Sequence, residues 1–417
     1  MQKLSSVAFH TLGCKLNFSE TSALARQLTQ EGFAQKNFED EADCYVINTC
    51  SVTENADKEC HQLVRRIQRR SPSSAVVIMG CYAQLNPEKI ASIPGVDLVL
   101  GAGAKFELST HLKALKKGDE TKICSCDIDS VENFHASWSV QHRTRTFLKV
   151  QDGCDYNCSF CTIPKARGKS RSDKIANVLN NVKEIEAAGS KEIVLTGVNL
   201  GDFGENGETF FQLICALENE TTVPRYRISS IEPNLLSDEV IKFVAFSKRF
   251  MPHFHIPLQS GCDRILGLMR RRYKRKLYAD RVNLIKELIP HASIGVDVIV
   301  GFPGETDADF QETYSFLESL PVTYLHVFTY SERDNTLAAS LKDIVPLPIR
   351  QERNKKLRQL SYQKQERFTD QFSGTTRSVL FEKEEKTSMM EGYSDNYIRV
   401  KTPFKKEWIN QIVDWKI

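Results

Sequence analysis

Three cysteines stand in the run Gly153-Cys154-x-x-x-Cys158-x-x-Cys161, directly after the strand-like segment FLKVQ. Three thiolates this close cannot span a sheet, but in a loop they can wrap one face of a small iron–sulfur cluster. A structural zinc would want a fourth nitrogen or sulfur nearby, and His135 and His142 lie before the strand. Three ligands leave one iron open, which is what chelation and reductive cleavage of S-adenosylmethionine require. Zinc or free thiols remain the plainer alternatives. A second set, Cys14, Cys50 and Cys81, shares no local motif, yet each ends a strand-like segment: HTLGC, VINTC and IMGC. The carboxyl ends of neighbouring parallel strands face one crevice, so these three can converge on a second cluster; the alternative is three unrelated buried thiols. Cys44 falls at the far end of its strand, about 20 Å away at ~3.3 Å per residue, and Cys60 lies in a helical pattern. Cys124, Cys126, Cys215 and Cys262 read as core or incidental thiols.

The elements that must position these residues alternate. VAFHTLGC, ADCYVINTC and AVVIMGC are separated by the helical patterns SETSALARQLTQEGF and ADKECHQLVRRIQRR, a βαβαβ order that implies a parallel sheet. A polar stretch over 116–139 reads as a linker. Beyond it FLKVQDG, EIVLTGVNLG, RYRISSIEP, FHIPLQSG, SIGVDVIVGFPGE and YLHVFTY form six β/α units, a partial barrel shorter than the ~250 residues of an eight-unit one. A charged helical run over 350–371 leads into RSVLFEK, NYIRVKT and QIVDWKI, the pieces of a small β domain. The expected division is therefore 1–115, a linker over 116–139, 140–371 and 372–417. The fold class is α/β: an open parallel domain, a partial (β/α)6 barrel and a small antiparallel β domain.

At 417 residues, 41% hydrophobic and 26% charged, the chain has material for several packed domains, and wholesale disorder is excluded. With 56 Lys+Arg against 53 Asp+Glu, any nucleic-acid binding must rest on local basic patches. No apolar run nears the ~18–20 residues that cross a bilayer, and Met1 to Glu20 holds no signal-type apolar core. The expected location is the cytoplasm, without a membrane partner. Twelve cysteines in a reducing compartment then point to metal or redox work.

The CxxxCxxC run after a first barrel strand resembles the signature of the radical S-adenosylmethionine superfamily. TLGCKLN, NTCSVT, MGCYAQ, QDGCDYNCSFCTIPKARGKSRS, HIPLQSGCD and DVIVGFPGETDADF together resemble the methylthiotransferases of that superfamily, over nearly the whole chain. The resemblance implies two [4Fe–4S] clusters, an auxiliary one on Cys14, Cys50 and Cys81 and a radical one on Cys154, Cys158 and Cys161. It also implies a C-terminal TRAM domain that grips RNA. GCKLN and GCYAQ are similar to the subgroup that converts N6-threonylcarbamoyladenosine at position 37 of tRNA to its 2-methylthio form. The alternatives are enzymes of isopentenyl-adenosine or of a ribosomal-protein aspartate, and, from another class, a non-catalytic iron–sulfur RNA-binding protein. An adenine C2–H is not acidic and has no leaving group, so radical chemistry is required, with S-adenosylmethionine serving both as methyl donor and as radical source.

Polar residues at barrel strand ends are the candidates to contact S-adenosylmethionine: Asn199, Ser229, Ser230, Glu232, Gln259 and Ser260, each of which can equally cap a helix or satisfy a turn. Phe160 resembles the superfamily aromatic that stacks near adenine. GFPGE is a common Gly-Pro-Gly turn and only a weak phosphate cradle. For RNA, the basic stretches are Arg65, Arg66, Arg69 and Arg70; RGKSRS from Arg167 to Ser172; and RRRYKRK from Arg270 to Lys276 around Tyr273. In the tail, Tyr393, Tyr397, Arg399, Lys401, Lys405 and Lys406 suit an RNA-binding β surface. The expected partners are the tRNA anticodon arm, an electron donor such as flavodoxin or ferredoxin, and a sulfur donor the sequence does not identify.

Overall fold

Alternate residues of the N-terminal strands are apolar on both faces, so the sheet they form must be covered on both sides. The computed structural model describes residues 4–50, 54–118, 120–139, 144–205, 207–382 and 388–417. Ser51, Val52 and Thr53 of NTCSVT, the domain boundary at 140, His142 and the Lys383 that ends RSVLFEK lie outside the described residues. The chain divides into two compact units. One comprises Met1–Ser139, Phe147–Tyr156 and Thr162–Ser172; the other comprises Val140–Thr146, Asn157–Cys161 and Asp173–Ile417.

In the first unit the order is β1 (Ser6–Thr11), α1 (Lys15–Gln30), β2 (Ala34–Lys36), β3 (Cys44–Thr49), α2 (Glu54–Arg70), β4 (Ala75–Gly80), α3 (Cys81–Leu85), α4 (Pro87–Ala91), β5 (Leu98–Leu100), α5 (Leu108–Ala114) and β6 (Lys122–Cys124). The six strands form one parallel sheet in the order β2-β1-β3-β4-β5-β6. Strand β6, in the stretch expected to be a linker, pairs with β5 as the sheet's edge. The two-residue period divides the core. Val7, Val46, Val77 and Leu98 meet Leu24 and Leu28 of α1 and Leu108 and Leu112 of α5. Ala8, Tyr45, Ile47, Val76 and Ile78 meet Leu63, Val64 and Ile67 of α2 on the other side. Sequence neighbours β1 and β2 sit on one side and β3 on the other, so the order reverses between β1 and β3. Ligands of open α/β sheets bind beyond the carboxyl ends at such a switch. The same unit holds β7 (Ser137–Trp138), the last residues of β8 (Arg145–Lys149), β9 (Gln151–Asp152), α6 (Ile163–Arg167) and β10 (Arg171–Ser172), with β9 and β10 antiparallel.

The second unit continues with α7 (Ile175–Ala187), β11 (Glu192–Thr196), α8 (Phe210–Glu220), β12 (Arg225–Ile228), α9 (Asp238–Phe246), β13 (His253–His255), α10 (Asp263–Leu268), α11 (Arg275–Leu288), β14 (Ser293–Val300), α12 (Asp307–Ser319), β15 (Tyr324–Thr329) and α13 (Leu347–Asp370). β11 and β12 pair in parallel, as do β13, β14 and β15, and the bridges Tyr226↔Phe250 and Ser230↔His255 join the two sets into the curved wall of a partial barrel. Helix starts are set locally: Thr209 with Gln212 and Thr306 with Asp309 form capping boxes on α8 and α12, and Ser237 caps α9. Four antiparallel strands close the chain: β16 (Thr376–Phe381), β17 (Met389–Ser394), β18 (Arg399–Pro403) and β19 (Ile412–Lys416), in the order β18-β17-β16-β19. Phe381, Trp408 and Trp415 pack at its centre.

Candidate active site

In the first unit, Cys14, Cys50 and Cys81 follow β1, β3 and β4, at and beside the switch in strand order. Cys14 is exposed at the N-cap of α1, whereas Cys50 and Cys81 are buried. Two glycines allow the loops to approach. Gly13 has φ +101, and a Cβ there would lie 2.5 Å from the Cβ and 2.8 Å from the Sγ of Cys50. Gly80, at φ +100, would place a Cβ 2.5 Å from Asn48 Oδ1 and Thr49 O. Asn17 ties the loops together, donating from Nδ2 to Leu12 O and Thr49 O, both at 2.9 Å. Burial pushes the Cys81 thiol up, and the charge of Arg167 pulls against it. Three thiols at the ends of neighbouring parallel strands suit the ligand set of an iron–sulfur cluster, whose cysteine ligands must be thiolates.

Next to them lies a buried charge network that the sequence did not reveal. Glu20 is fully buried and meets Lys105 at 2.7 Å, Lys149 at 3.1 Å and Arg167 at 3.0 Å. Asp152 meets Arg167 at 2.9 Å, Lys149 at 3.3 Å and Arg171 at 3.5 Å. Burial acts to raise both carboxyls, but Arg167 and the lysines hold them well below the usual carboxylate range. Arg167 also donates to Asn17 Oδ1 at 2.6 Å. Arg167 and Arg171, expected from RGKSRS to meet RNA, are thus turned inward and engaged by carboxylates. Cys154, in the same unit, has its N–H on Gly168 O at 3.1 Å, and its Sγ accepts the Tyr156 N–H at 3.4 Å.

Cys158 and Cys161 belong to the second unit, in a turn closed by the Cys161 N–H on Cys158 O at 3.2 Å. The turn is pinned through Ser159, whose N–H reaches Met269 O at 3.1 Å and whose hydroxyl reaches Leu268 O at 2.8 Å. Phe160 packs on Phe302 beside Cys262, Ile265 and Met269. Arg271 Nη1 lies 3.0 Å from Cys158 Sγ, Nε donates to Tyr273 Oη at 3.2 Å, and Nη2 pairs with Glu232. Burial raises the Cys158 thiol and the Glu232 carboxyl, and Arg271 opposes both. Tyr273 is buried, its hydroxyl on Leu258 O at 2.7 Å. RRRYKRK is therefore not one basic face: Arg271 and Tyr273 turn inward, while Arg270, Arg272, Lys274 and Lys276 are exposed. The inward turn is set by the Arg270 backbone, at φ +57 directly after α10.

The strand-end candidates separate. Asn199 Oδ1 accepts the Glu232 N–H at 3.4 Å, which brings these two residues together, and Ser230 meets His255 Nδ1 at 3.3 Å. Ser229 is buried after β12, and Gln259, at φ +70, sends its N–H to Asp297 O at 2.8 Å. Ser260 is fully buried, with its hydroxyl 3.2 Å from Thr313 Oγ1 and accepting the Cys262 N–H, so it stabilises a turn. GFPGE likewise folds on itself, with the Gly301 N–H on Glu305, whose carboxylate meets Arg353 at 2.6 Å. The sequence reading also missed His255 and His326, which share Asp297 Oδ1 at 2.8 and 3.2 Å.

The tail packs on the barrel. Tyr393 and Tyr397 stack on each other, Tyr397 stacks on His253 at 4.0 Å, and the guanidinium of Arg145 lies over Tyr393. Arg227 donates to Ser394 O at 2.8 Å and Asp395 O at 2.9 Å, and Arg225 to Ser378 O at 2.8 Å, while Glu192 holds Arg227 from behind at 2.8 Å. Both tyrosines therefore pack, half-buried, on the strand starts of the barrel. Arg399 and Lys401 are exposed around Glu391, and Lys405 lies over Trp408. On α2, Arg66 and Arg70 pair with Glu39, with Arg65 and Arg69 exposed.

Residues 6–101 match the profile of the Uncharacterized protein family UPF0004, and 148–317 that of the Radical SAM superfamily. The threonylcarbamoyladenosine tRNA methylthiotransferase MtaB of Bacillus subtilis is 38% identical, across 99% of this chain and 94% of the relative. Its counterpart from Aquifex aeolicus is 40% identical, across 96% and 97%. A tRNA-2-methylthio-N(6)-dimethylallyladenosine synthase of Staphylococcus epidermidis is 30% identical, across 100% and 83%. Among solved structures, the radical S-adenosylmethionine methyltransferase TsrM from Kitasatospora setae matches with a TM-score of 0.59 at 15% identity, covering 81% of this chain and 77% of that one, a likeness of fold.

Proposed function

We propose a function from one premise: the chain belongs to the radical S-adenosylmethionine methylthiotransferase family. It is an enzyme that binds iron–sulfur and S-adenosylmethionine. Its substrate is N6-threonylcarbamoyladenosine at position 37 of tRNA, which it converts to the 2-methylthio derivative. One observation carries this reading: a chain 38–40% identical to two enzymes of that name over nearly its whole length has three cysteines after the neighbouring parallel strands β1, β3 and β4 and a separate CxxxCxxC loop.

Residues 1–115 hold an auxiliary [4Fe–4S] cluster on Cys14, Cys50 and Cys81, and residues 140–371 hold the radical cluster on Cys154, Cys158 and Cys161. When bound, the radical cluster would supply the electron that cleaves S-adenosylmethionine, and the auxiliary cluster would supply an open iron for the sulfur to be transferred, whose donor is a separate partner. The chain's own residues orient and shield. Arg271 fixes Cys158 and Glu232 in one arrangement, and Asn199 holds the Glu232 backbone. Glu232, Asn199, Ser229, Ser230 and Gln259 offer the polar contacts for S-adenosylmethionine, with Phe160 at the apolar side. Phosphates of the anticodon arm meet Arg270, Arg272 and Lys274, and in residues 372–417 Arg399, Lys401, Lys405 and Lys406. A flavodoxin or ferredoxin serves as reductant in the cytoplasm. Among the described residues, no helix is long and apolar enough to cross a membrane.

Mass spectrometry of tRNA nucleosides from a deletion strain tests the reading. Loss of the 2-methylthio derivative with accumulation of N6-threonylcarbamoyladenosine is expected. Loss of the methylthiolated isopentenyl nucleoside instead would reassign the substrate.

A further inference from the structure

Beside the strand-end cysteines, four buried cations face two buried carboxylates. Lys105, Lys149, Arg167 and Arg171 surround Glu20 and Asp152, and each of the six residues is at most 8% exposed. A surplus of buried positive charge is costly unless an anion offsets it. His135, stacked on Phe106, reports the same excess: burial lowers its proton affinity and Lys149, Lys105 and Arg171 lower it further.

Arg167 links this surplus to the cysteine loops. Arg167 ends α6, which packs against α3, the helix that begins at Cys81. Its Nη2 holds Asn17 at 2.6 Å, and Asn17 in turn grips the backbone at Leu12 and Thr49, beside Cys14 and Cys50. An iron–sulfur cluster on three thiolates carries net negative charge and gains more on reduction, and surrounding charge sets its potential.

We propose that this network is the charge-balancing seat of the auxiliary cluster, with Arg167 the positioning residue that raises its reduction potential and slows its loss of iron. The inference rests on the assignment of Cys14, Cys50 and Cys81 to that cluster. Lys105 contributes in the same direction as Arg167, and Glu20 in the opposite one.

The test uses the full chain with Cys154, Cys158 and Cys161 changed to Ala, so that only the auxiliary cluster can load. Iron analysis and Mössbauer spectroscopy come first, and a parent without a four-iron cluster refutes the cysteine assignment and the inference with it. Given the cluster, a dithionite titration followed by electron paramagnetic resonance reads the midpoint potential, and a ferrous chelator reads iron release. Arg167→Gln should lower the potential and speed release about tenfold, whereas Arg167→Lys, which keeps the charge, should stay near the parent potential. Lys105→Gln should lower the potential by less, and Glu20→Gln should raise it. A loaded cluster whose potential is unmoved in Arg167→Gln, or moves the same way in Lys105→Gln and Glu20→Gln, overturns the proposal. Should Arg167→Gln fail to fold, Lys105→Gln decides alone, and an unchanged potential there overturns it.

Discussion

Arg271→Met distinguishes a residue that holds the site from one that touches RNA. The side chain is 4% exposed and has three partners: Cys158 Sγ at 3.0 Å, Tyr273 Oη at 3.2 Å and the Glu232 carboxylate. Removing it strands Glu232 in a buried setting, and losing one partner of a buried ion pair costs about 3–5 kcal/mol. At about 2–4 °C per kcal/mol for a unit of this size, melting should fall by roughly 6–20 °C. Burial already raises the Glu232 carboxyl above its ordinary 4.5, so its contribution to stability is fully present below 4.5 and is lost as pH rises through the folded value. Without Arg271 that value rises further, so the loss should be smaller at about pH 5 than at about pH 8. Thermal melts of the full chain at both pH values, for Arg271→Met, Glu232→Gln and the double variant, supply the test. The double variant should recover at least half of the single variant's loss, because the stranded carboxylate is gone. A single variant melting within about 1 °C of the parent, or a double variant no better than Arg271→Met, would refute the argument.

The exposed half of the same segment makes the complementary prediction. Changing Arg270, Arg272 and Lys274 to Gln should weaken tRNA binding and reduce the slope of log K against log salt by roughly 0.7–0.9 for each phosphate no longer neutralised, measured by anisotropy, with iron content unchanged. Anaerobically reconstituted chain should hold about eight irons, and the Cys154, Cys158, Cys161→Ala variant about four, by colorimetric iron assay. Cys50→Ala should abolish methylthio product while 5′-deoxyadenosine still forms, read by chromatography of both products. Burial lowers the Lys364 ammonium from 10.5 to about 8, so the stability it contributes is present above 10.5 and is lost as pH falls through about 8. The parent's melting temperature should therefore rise with pH relative to Lys364→Met across that window.

What the sequence disclosed depended on the range of the interaction. Strands β1, β3 and β4 are six-residue, partly apolar segments ending within three residues of a cysteine, a pattern visible in a short window, as is CxxxCxxC. The order of β/α units was legible for the same reason. Charge was not. Arg167, Arg171 and Arg271 lie in basic runs that read as solvated surface, because their carboxylate partners are remote in the chain: Glu20 is 147 residues from Arg167, and Glu232 is 39 from Arg271. Tyr393 and Tyr397 show the same limit, since their partners Arg145 and His253 come from strands more than a hundred residues earlier. The edge strand Lys122–Cys124 escaped because three residues are too few to show a period.

The way the C-terminal strands are fastened constrains how such chains can be recombined. Arg145, Arg225, Arg227 and His253 are anchored in the barrel, yet what they grip is tail: Glu382, Ser378, Ser394, Asp395 and the two stacked tyrosines. The tail is therefore a stopper fitted to one particular neck. Cutting it off would uncork Glu192 and three arginines at once and bring water to the barrel's strand starts. Grafting a foreign tail would succeed only when the arginines travel with it, so the two segments must change in concert, whatever RNA the outer face of the stopper meets.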